Sequence, residues 1–397
     1  MTERPYTVAP TSETEGAVRD LVQRLCDEIV AELRPSAVLL SGSFARGEGG
    51  AYMENGALHT TSDLDLIAVY RGPLSPWRAL RARPRAARLT RALRRTFPDA
   101  HIDLTVRPGV LLMWPPATLD FYDLLRSARV LYGAMPLPPP AAVRLADIPP
   151  EELRRRLVKR GIGLLESWLR LSAGAELDDV DTRATETDLD KAFLVSGDVW
   201  LHRNARYDHR LLKRMEHIAS LQTFSGPSPL LRSEYHAAAR RRLLPPPGVH
   251  RETGALVERW RDAATEWMGA SDLVEEWSRI VTAPGALRAL RHPARTARHV
   301  VALARQAIRG LPTPARQQSA LPLLIQLALS DGELSWLHSF TARLLGVPRL
   351  AAVDLPGLMR RLLLAWYHGT PSRTRLVEPP PAARWTESLA VPIRRTA

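Results

Sequence analysis

The sequence predicts an α+β fold, with a small mixed sheet near the N-terminus followed by an all-α region. Short apolar runs at 37–41, 64–69 and 101–106 have the length of strands. Longer segments with apolar residues at helical spacing lie between these runs and after them. A proline-rich stretch over 135–150 separates the mixed region from the purely helical one.

The expected organisation is a first domain over 1–134, a linker over 135–150, a helical domain over 151–378 and a loose tail over 379–397. If the helical domain divides into two bundles, the break is expected near 225–250 or 283–315. No run of about 18 apolar residues is present, and the N-terminus lacks the pattern of a signal peptide. These observations predict a cytoplasmic protein that does not interact with membranes.

The first element is predicted to be an amphipathic helix that ends near Pro35. Ser12 and Glu15 have the spacing of a capping box, and apolar residues recur at helical spacing up to Leu33. Cys26, the single cysteine, lies on this apolar stripe, so we expect a buried and inert thiol. One cysteine cannot form an internal disulfide, which is consistent with a reducing compartment.

A second helix is predicted over 77–97, with Pro84 interrupting it. It is rich in arginine: Arg78, Arg81, Arg83, Arg85, Arg88, Arg91, Arg94 and Arg95. These arginines could bind phosphates or nucleic acid, or they could form the solvated outer face of a crossover helix. The second interpretation is favoured because this helix is expected to lie on the back of the sheet.

Three aspartates follow the strand pattern closely. Side chains alternate between the two faces of a strand, so Asp63 and Asp65 are expected to point the same way. Asp103 lies in the third apolar run, and pairing of that strand beside the second would bring the three carboxylates together. His101 is expected to face away from them. Carboxylates that converge repel one another unless cations lie between them, and Mg²⁺ prefers such oxygen ligands.

Gly42 and Ser43 follow the first apolar run. Glycine allows a phosphate to approach the backbone closely, and the hydroxyl of Ser43 can donate a hydrogen bond to a phosphate oxygen. The alternative is an ordinary turn between a strand and a helix. The combination with the three aspartates favours phosphate binding.

These residues together resemble the DNA polymerase β-like nucleotidyltransferase superfamily, in its small-molecule, aminoglycoside-nucleotidyltransferase-like branch. The family signature is an apolar run, Gly-Ser, then Asp-x-Asp, then a third Asp on a later strand. This chain departs from it in spacing, because 20 positions separate Ser43 from Asp63 where the family usually has roughly a dozen. The extra residues, about 49–60, contain glycine turn signals and are expected to form a hairpin beside the nucleotide.

The resemblance implies a nucleotidyltransferase that uses two Mg²⁺ ions and a nucleoside triphosphate, with ATP expected. It implies that Asp63, Asp65 and Asp103 are the catalytic and metal-binding residues. One ion, held by all three, would activate an acceptor hydroxyl, and the other, held by the first two, would neutralise the leaving pyrophosphate. Nucleotide binding is expected at Gly42, Ser43, Arg46 and Lys191. Arg46 could instead pair with Glu48, and Lys191 could be a surface lysine.

Three classes of function remain open. The first is transfer of a nucleoside monophosphate to a small-molecule hydroxyl, which we favour. The second is transfer to a macromolecule, either a tRNA end or a protein side chain, which the net charge of +13 slightly favours. The third is a non-catalytic nucleotide-binding protein. The complete set of three aspartates argues against the third class.

Overall fold

The computed structural model describes residues 4–272 and Ile325, apart from gaps at 9–10, 55, 136, 173–176, 222–225 and 245–251. The chain divides into two compact units, Met1–Glu276 and Trp277–Ala397. The elements described below all belong to the first unit. The break predicted near 283–315 and the tail predicted over 379–397 lie outside the described residues.

The architecture is α+β, as predicted, and its first half contains a small mixed sheet. In chain order the elements of this half are α1 (Ser12–Leu33), β1 (Ala37–Ser41), α2 (Gly42–Arg46), β2 (Ala51–Glu54), β3 (Ala57–Thr60), β4 (Leu64–Tyr70), α3 (Ser75–Thr96), β5 (Ile102–Pro108), α4 (Gly109–Met113), α5 (Leu119–Ser127) and β6 (Arg129–Gly133). The main sheet has the order β5-β4-β1-β6. Strand β1 is antiparallel to both of its neighbours, and β4 is parallel to β5.

Helix α1 begins one residue earlier than the predicted capping box requires. Thr11, not Ser12, is the N-cap, and its hydroxyl accepts a hydrogen bond from the backbone N–H of Thr14 at 3.1 Å. Glu15 accepts instead from the backbone N–H of Tyr6 at 2.8 Å, which ties the N-terminal segment to the helix. Cys26 is buried as predicted, and burial raises the pKa of its thiol to about 11.

Alternation along β4 and β5 separates the core from the aspartates. The even-numbered Leu64, Leu66, Ile102 and Leu104 are buried in a core formed with α1 and α3. The odd-numbered side chains of the same strands therefore point to the opposite face of the sheet. Asp65 is on this second face. Helices α1 and α3 pack on the other face of the sheet and therefore do not cover Asp65.

Helix α3 packs on the core face, behind the aspartates. Its arginines are exposed apart from Arg94, which donates to the carbonyl oxygen of Ile102 at 3.0 Å and 2.8 Å. This confirms the outer-face interpretation of the arginine-rich helix. The predicted interruption at Pro84 is wrong, because α3 is continuous through it. Pro84 is exposed, and the burial of Ala82 and Ala86 on either side holds the helix together despite the lost hydrogen bond.

The extra residues between Ser43 and Asp63 form the predicted hairpin. Strands β2 and β3 pair antiparallel, and Gly56 has a φ of +76° in the turn. The ring of Tyr52 stacks on that of His59 with centroids 5.3 Å apart. The side chain of His59 also lies 3.4 Å from Asp99, which anchors the hairpin to the segment before β5.

The second half is helical, with α6 (Pro150–Leu171), α7 (Asp179–Arg203), α8 (Leu211–Ser220), α9 (Pro229–Leu243) and α10 (Thr253–Asp272). Helix α7 is central and packs against α6, α9 and α10. Gly197 allows the close approach of α9, because a Cβ there would lie 2.2 Å from the ring of Tyr235. Trp260 and Trp267 of α10 are buried and donate to carbonyl oxygens of α6 at 2.8 Å and 2.9 Å.

The segment that joins the two halves is packed against them. It contains two short 3-10 turns, Pro140–Ala142 and Leu145–Asp147, and buries Val143 and Ile148. Helix α9 lies within the stretch 225–250 that is one of the alternatives for a break. In the described part of the chain, the helices are too short or too polar to cross a membrane.

Candidate active site

The turn between β1 and α2 lies directly against Asp65. Ser41 is the register partner of Asp65, and Gly42 follows with a φ of +72°. A Cβ on Gly42 would lie 2.0 Å from Oδ2 of Asp65, so no side chain fits at this position. The sequence therefore needs glycine here both for the backbone conformation and for the close approach of the carboxylate.

The three predicted aspartates are close to one another on one face of the sheet. Asp65 and Asp103 are register partners on the parallel strands β4 and β5. Asp63 immediately precedes β4 and is two residues from Asp65, so alternation places it on the same face. Burial, Asp63 and Asp103 raise the pKa of Asp65 to about 7. The shift at Asp65 is due first to burial and then to the two other aspartates, as expected for carboxylates that lie near one another.

Asp63 has the opposite electrostatic environment. It is exposed to solvent, yet it lies near the second half of the chain. Desolvation by the surrounding protein raises its pKa. The charges of Lys191, Arg242, His101 and Arg160 lower the pKa by more than this, so it lies below the usual value of 3.8. Asp63 is therefore ionised at neutral pH. The prediction that His101 faces away from the aspartates is wrong: residue 101 precedes β5 with the same alternation as residue 103, and the charge of His101 acts on Asp63.

Four basic side chains of the helical half face the aspartates, and we call them the site cations: Lys159 and Arg160 of α6, Lys191 of α7 and Arg242 of α9. Burial lowers the pKa of each of them, and for Arg160 the resulting pKa is about 10. None of the four makes a hydrogen bond or an ion pair within 4.0 Å with a described residue. The sequence predicted only Lys191 among them. The other three carry no local signal, because arginine is abundant throughout the chain and helix packing alone selects these positions.

Two contacts hold the helical half against the turn. The buried carboxylate of Glu48 accepts from the backbone N–H groups of Leu211 at 2.9 Å and Leu212 at 3.2 Å, at the beginning of α8. A Cβ on Gly50 would lie 2.4 Å from the carbonyl oxygen of Arg242, at the end of α9. Arg242, the site cation of α9, is therefore positioned by a contact with the loop after α2.

Ser43 and Arg46 have different surroundings. The hydroxyl of Ser43 is buried and has no hydrogen-bond partner in the described part of the chain. Arg46 pairs with Glu48, with Nε 3.0 Å from a carboxylate oxygen. Arg46 therefore pairs with Glu48, as one of the two alternatives from the sequence expected. The charge of Arg46 also lowers the pKa of Asp65, so it contributes to the field at the site.

Two polar residues of the helical half have structural roles. Tyr207 is buried, and its hydroxyl donates to Asp123 at 3.1 Å, so it belongs to the core. Asp198 pairs with Arg214 at 2.6 Å and accepts from the hydroxyl of Tyr235 at 2.8 Å. Its oxygens are therefore committed to a buried network.

The three aspartates suit a metal ion chemically. Among the described residues, no group of three or more His, Cys, Asp or Glu side chains has the arrangement of a metal site. The donor set nevertheless consists of hard carboxylate oxygens, and burial together with the neighbouring aspartates raises the pKa of Asp65, a cost to the ionised form that a divalent cation would offset. Asp63, Asp65 and Asp103 therefore fit a hard cation by donor type and charge.

Comparison with known proteins adds no relative to this description. No family profile matches the chain, and no curated protein and no solved structure matches it. The functional interpretation therefore rests on the placement of residues in this chain. The features that bear most directly on it are the turn at Gly42, the three aspartates and the site cations.

Proposed function

We propose that the chain is a Mg²⁺-dependent nucleotidyltransferase that transfers a nucleoside monophosphate from a nucleoside triphosphate to a hydroxyl of a small molecule and releases pyrophosphate. ATP is the proposed triphosphate. The observation that carries the proposal is the juxtaposition of Gly42 with Asp65, beside Asp63 and Asp103 and opposite the site cations. Phosphoryl chemistry depends mainly on positioning and on charge stabilisation, and this arrangement offers both.

Each residue has a proposed task. The turn at Gly42 admits the triphosphate close to the backbone, and the unpartnered hydroxyl of Ser43 donates to a phosphate oxygen. Lys191 and Arg242 bind the phosphates, because they are basic, face the aspartates and lack protein partners within 4.0 Å among the described residues. Mg²⁺ held by the three aspartates would neutralise phosphate charge and lower the pKa of the acceptor hydroxyl.

A small-molecule acceptor is favoured over RNA by the position of the arginine-rich helix. The exposed arginines of α3 lie behind the sheet, on the face opposite the aspartates. Nucleic acid bound by these arginines would lie on the face opposite the aspartates. The arginines of α3 therefore form no continuous basic surface that leads to the site. The exposed arginines of α3 therefore contribute to the net charge of +13 without facing the site.

The test is transfer of label from each of the four α-labelled triphosphates in the presence of Mg²⁺ and a low-molecular-weight cell extract. We expect the full-length protein to form a labelled small-molecule product and the Asp63→Asn variant to form it about 10²–10³-fold more slowly. Asp20→Asn is the matched control, because Asp20 is exposed on α1 behind the sheet, and this variant should react at the wild-type rate.

Two results would contradict the proposal. The first is the absence of labelled product above the Asp63→Asn background with all four triphosphates, in extracts that support a known nucleotidyltransferase. The second is wild-type turnover in Asp63→Asn. Circular dichroism of each variant shows that a loss of activity does not reflect loss of the fold.

A further inference from the structure

The sheet gives the site two sides. Gly42 follows β1, Asp65 lies on β4, and Asp103 lies on β5, which is the edge strand of the sheet. The turn at Gly42 and the edge at Asp103 therefore flank Asp65 on opposite sides. If the triphosphate occupies the turn, as proposed above, the side of Asp103 remains for the acceptor.

The site cations are distributed over both sides. Arg242 acts electrostatically on Asp63, Arg46 and Asp65, which places it toward the turn. Lys159 acts on Asp120, Asp103 and Asp63, which places it toward the edge strand. Arg160 lies between them, with Arg242 and Asp188 as its strongest charged neighbours.

Two contacts place this part of α6 near β5. Arg156 of α6 pairs with Asp120 of α5 at 2.9 Å, and the guanidinium of Arg107 on β5 lies 4.9 Å from the ring centroid of Phe121, the next residue of α5. Lys159 and Arg160 are three and four residues after Arg156, so they lie on the same side of α6 as the pair. The side chain of Lys159 remains exposed, and a ligand can therefore reach it.

The lack of counter-charges sets the site cations apart from their neighbours. Several other buried or half-buried arginines of the helical half pair with carboxylates: Arg156 with Asp120, Arg170 with Asp188, Arg214 with Asp198 and Arg241 with Asp190. Lys159 and Arg160 have no such partner within 4.0 Å among the described residues. Arg160 is partly buried, and a partly buried charge without a partner destabilises a fold, so a bound anion would remove that cost, whereas Lys159 is exposed and open to a ligand.

The charge balance of the site decides the class of acceptor. Among the described residues, four site cations oppose three aspartates, and the neighbouring Asp188 and Asp120 are paired with Arg170 and Arg156, so this part of the site carries an excess of positive charge before any ligand binds. Two Mg²⁺ ions and a triphosphate of about four negative charges leave this excess unchanged. An acceptor with several ammonium groups would be repelled, whereas an acceptor with a negative group would be attracted.

We propose that the acceptor carries an anionic group, such as a phosphate ester, and that Lys159 and Arg160 bind this group beside Asp103. The proposal rests on the nucleotidyltransferase function proposed above. The proposed acceptor therefore has a charge opposite in sign to that of a polycationic aminoglycoside, although the sequence resembles the branch that includes enzymes for such compounds. Arg160 supplies a planar pair of donors and Lys159 a mobile ammonium, a combination that suits phosphate oxygens.

The test is calorimetric titration of the full-length protein saturated with a non-hydrolysable ATP analogue and Mg²⁺. The titrants are ribose 5-phosphate, ribose and kanamycin. We expect ribose 5-phosphate to bind at least about tenfold more tightly than ribose, since charge-assisted hydrogen bonds discriminate by this amount or more. Kanamycin should give no saturable binding.

Variants assign the binding to α6. Lys159→Gln should weaken ribose 5-phosphate about tenfold and leave the affinity for the ATP analogue within about twofold, while Lys159→Arg should retain most of the binding. Lys213→Gln is the matched control, because Lys213 is exposed on α8 and pairs only with Glu216 at 2.6 Å among the described residues. It should change neither affinity.

The outcomes separate the two proposals. Equal binding of ribose and ribose 5-phosphate, saturable binding of kanamycin, or an unchanged affinity in Lys159→Gln would overturn the anionic acceptor while leaving nucleotidyl transfer intact. Failure of the wild-type protein to bind the ATP analogue would overturn the proposed function, and the acceptor proposal with it. Stronger binding of a short single-stranded RNA, lost in Lys159→Gln, would overturn the small-molecule acceptor, because the anionic group bound by α6 would then belong to nucleic acid.

Discussion

The helical half contains two sets of basic side chains that differ in their partners. In the bundle interior, Arg214 lies 2.6 Å from Asp198, both side chains are about nine-tenths buried, and Tyr235 donates to the same carboxylate. At the site, Arg242 and Lys191 face Asp63 from within the same helices but make no ion pair within 4.0 Å among the described residues. Arg214 and Asp198 are buried and pair with each other, whereas Arg242 and Lys191 are half-buried and have no such pair among the described residues.

This difference separates residues that hold the bundle together from residues available to a ligand. A buried ion pair with a further hydrogen bond is self-contained, and removing one partner leaves a charge without compensation. Lys191 and Arg242 lack an ion pair within 4.0 Å among the described residues, and burial and the other two aspartates raise the pKa of Asp65, so these charges lower the stability of the ligand-free chain. Removing a charge in the bundle interior should therefore lower stability, whereas removing a charge at the site should weaken ligand binding with little loss of stability.

The largest expected effect is loss of stability when the interior pair is broken. Arg214→Met leaves Asp198 buried without its cation, and we expect the free energy of unfolding to fall by about 3–5 kcal/mol. Arg242→Met removes a cation that has no such partner, so the change should stay within about 1 kcal/mol. Guanidinium denaturation of both variants gives the comparison. An equal loss in the two would mean that Arg242 is also a structural residue.

The next effect concerns repulsion at the site and its dependence on pH. Burial, Asp63 and Asp103 raise the pKa of Asp65 to about 7, above its value in the unfolded chain. Ionisation of Asp65 therefore destabilises the fold; the effect begins near pH 4, grows as the pH rises and is complete above about pH 7. We expect Asp65→Asn to stabilise the protein by on the order of 2–4 kcal/mol at pH 8 and by almost nothing at pH 4.

Denaturation in the presence of a metal chelator, at several pH values between 4 and 8, measures this gain. Asp20→Asn serves as the control, since the exposed Asp20 lies on the other face of the sheet, and its curve should follow the wild type. A gain for Asp65→Asn that does not change with pH would show that the carboxylate is not repelled by its neighbours.

The smallest expected effect is at Ser43. Its buried hydroxyl has no partner in the described part of the chain, so Ser43→Ala should leave the stability unchanged or raise it slightly. The same variant should bind the non-hydrolysable ATP analogue with Mg²⁺ about 2- to 10-fold more weakly, because a hydrogen bond to phosphate is lost. Titration of wild type, Ser43→Ala and the exposed-site control Ser12→Ala decides the point. Equal affinities would mean that the hydroxyl does not contact phosphate.

Much of the first half could be predicted from local patterns. Alternation placed Asp63 and Asp65 on one face, apolar runs located the main strands, and glycine turn signals located the hairpin of β2 and β3. These features depend on residues close together in the chain, where backbone geometry limits the alternatives. The errors were also local: the cap at Thr11, the continuity of α3 through Pro84 and the face of His101.

The sequence by itself determined the α+β class, the glycine turn and the three aspartates, because each depends on the period of a strand or the conformation of one residue. Only the tertiary structure decided which basic residues face those aspartates. Lys159, Arg160 and Arg242 come from two helices that follow the sheet in the chain, and their approach depends on packing around α7 and on the contact of Glu48 with α8. Charge attraction acts through space, so no local pattern distinguishes these three from the arginines that pair in the bundle interior.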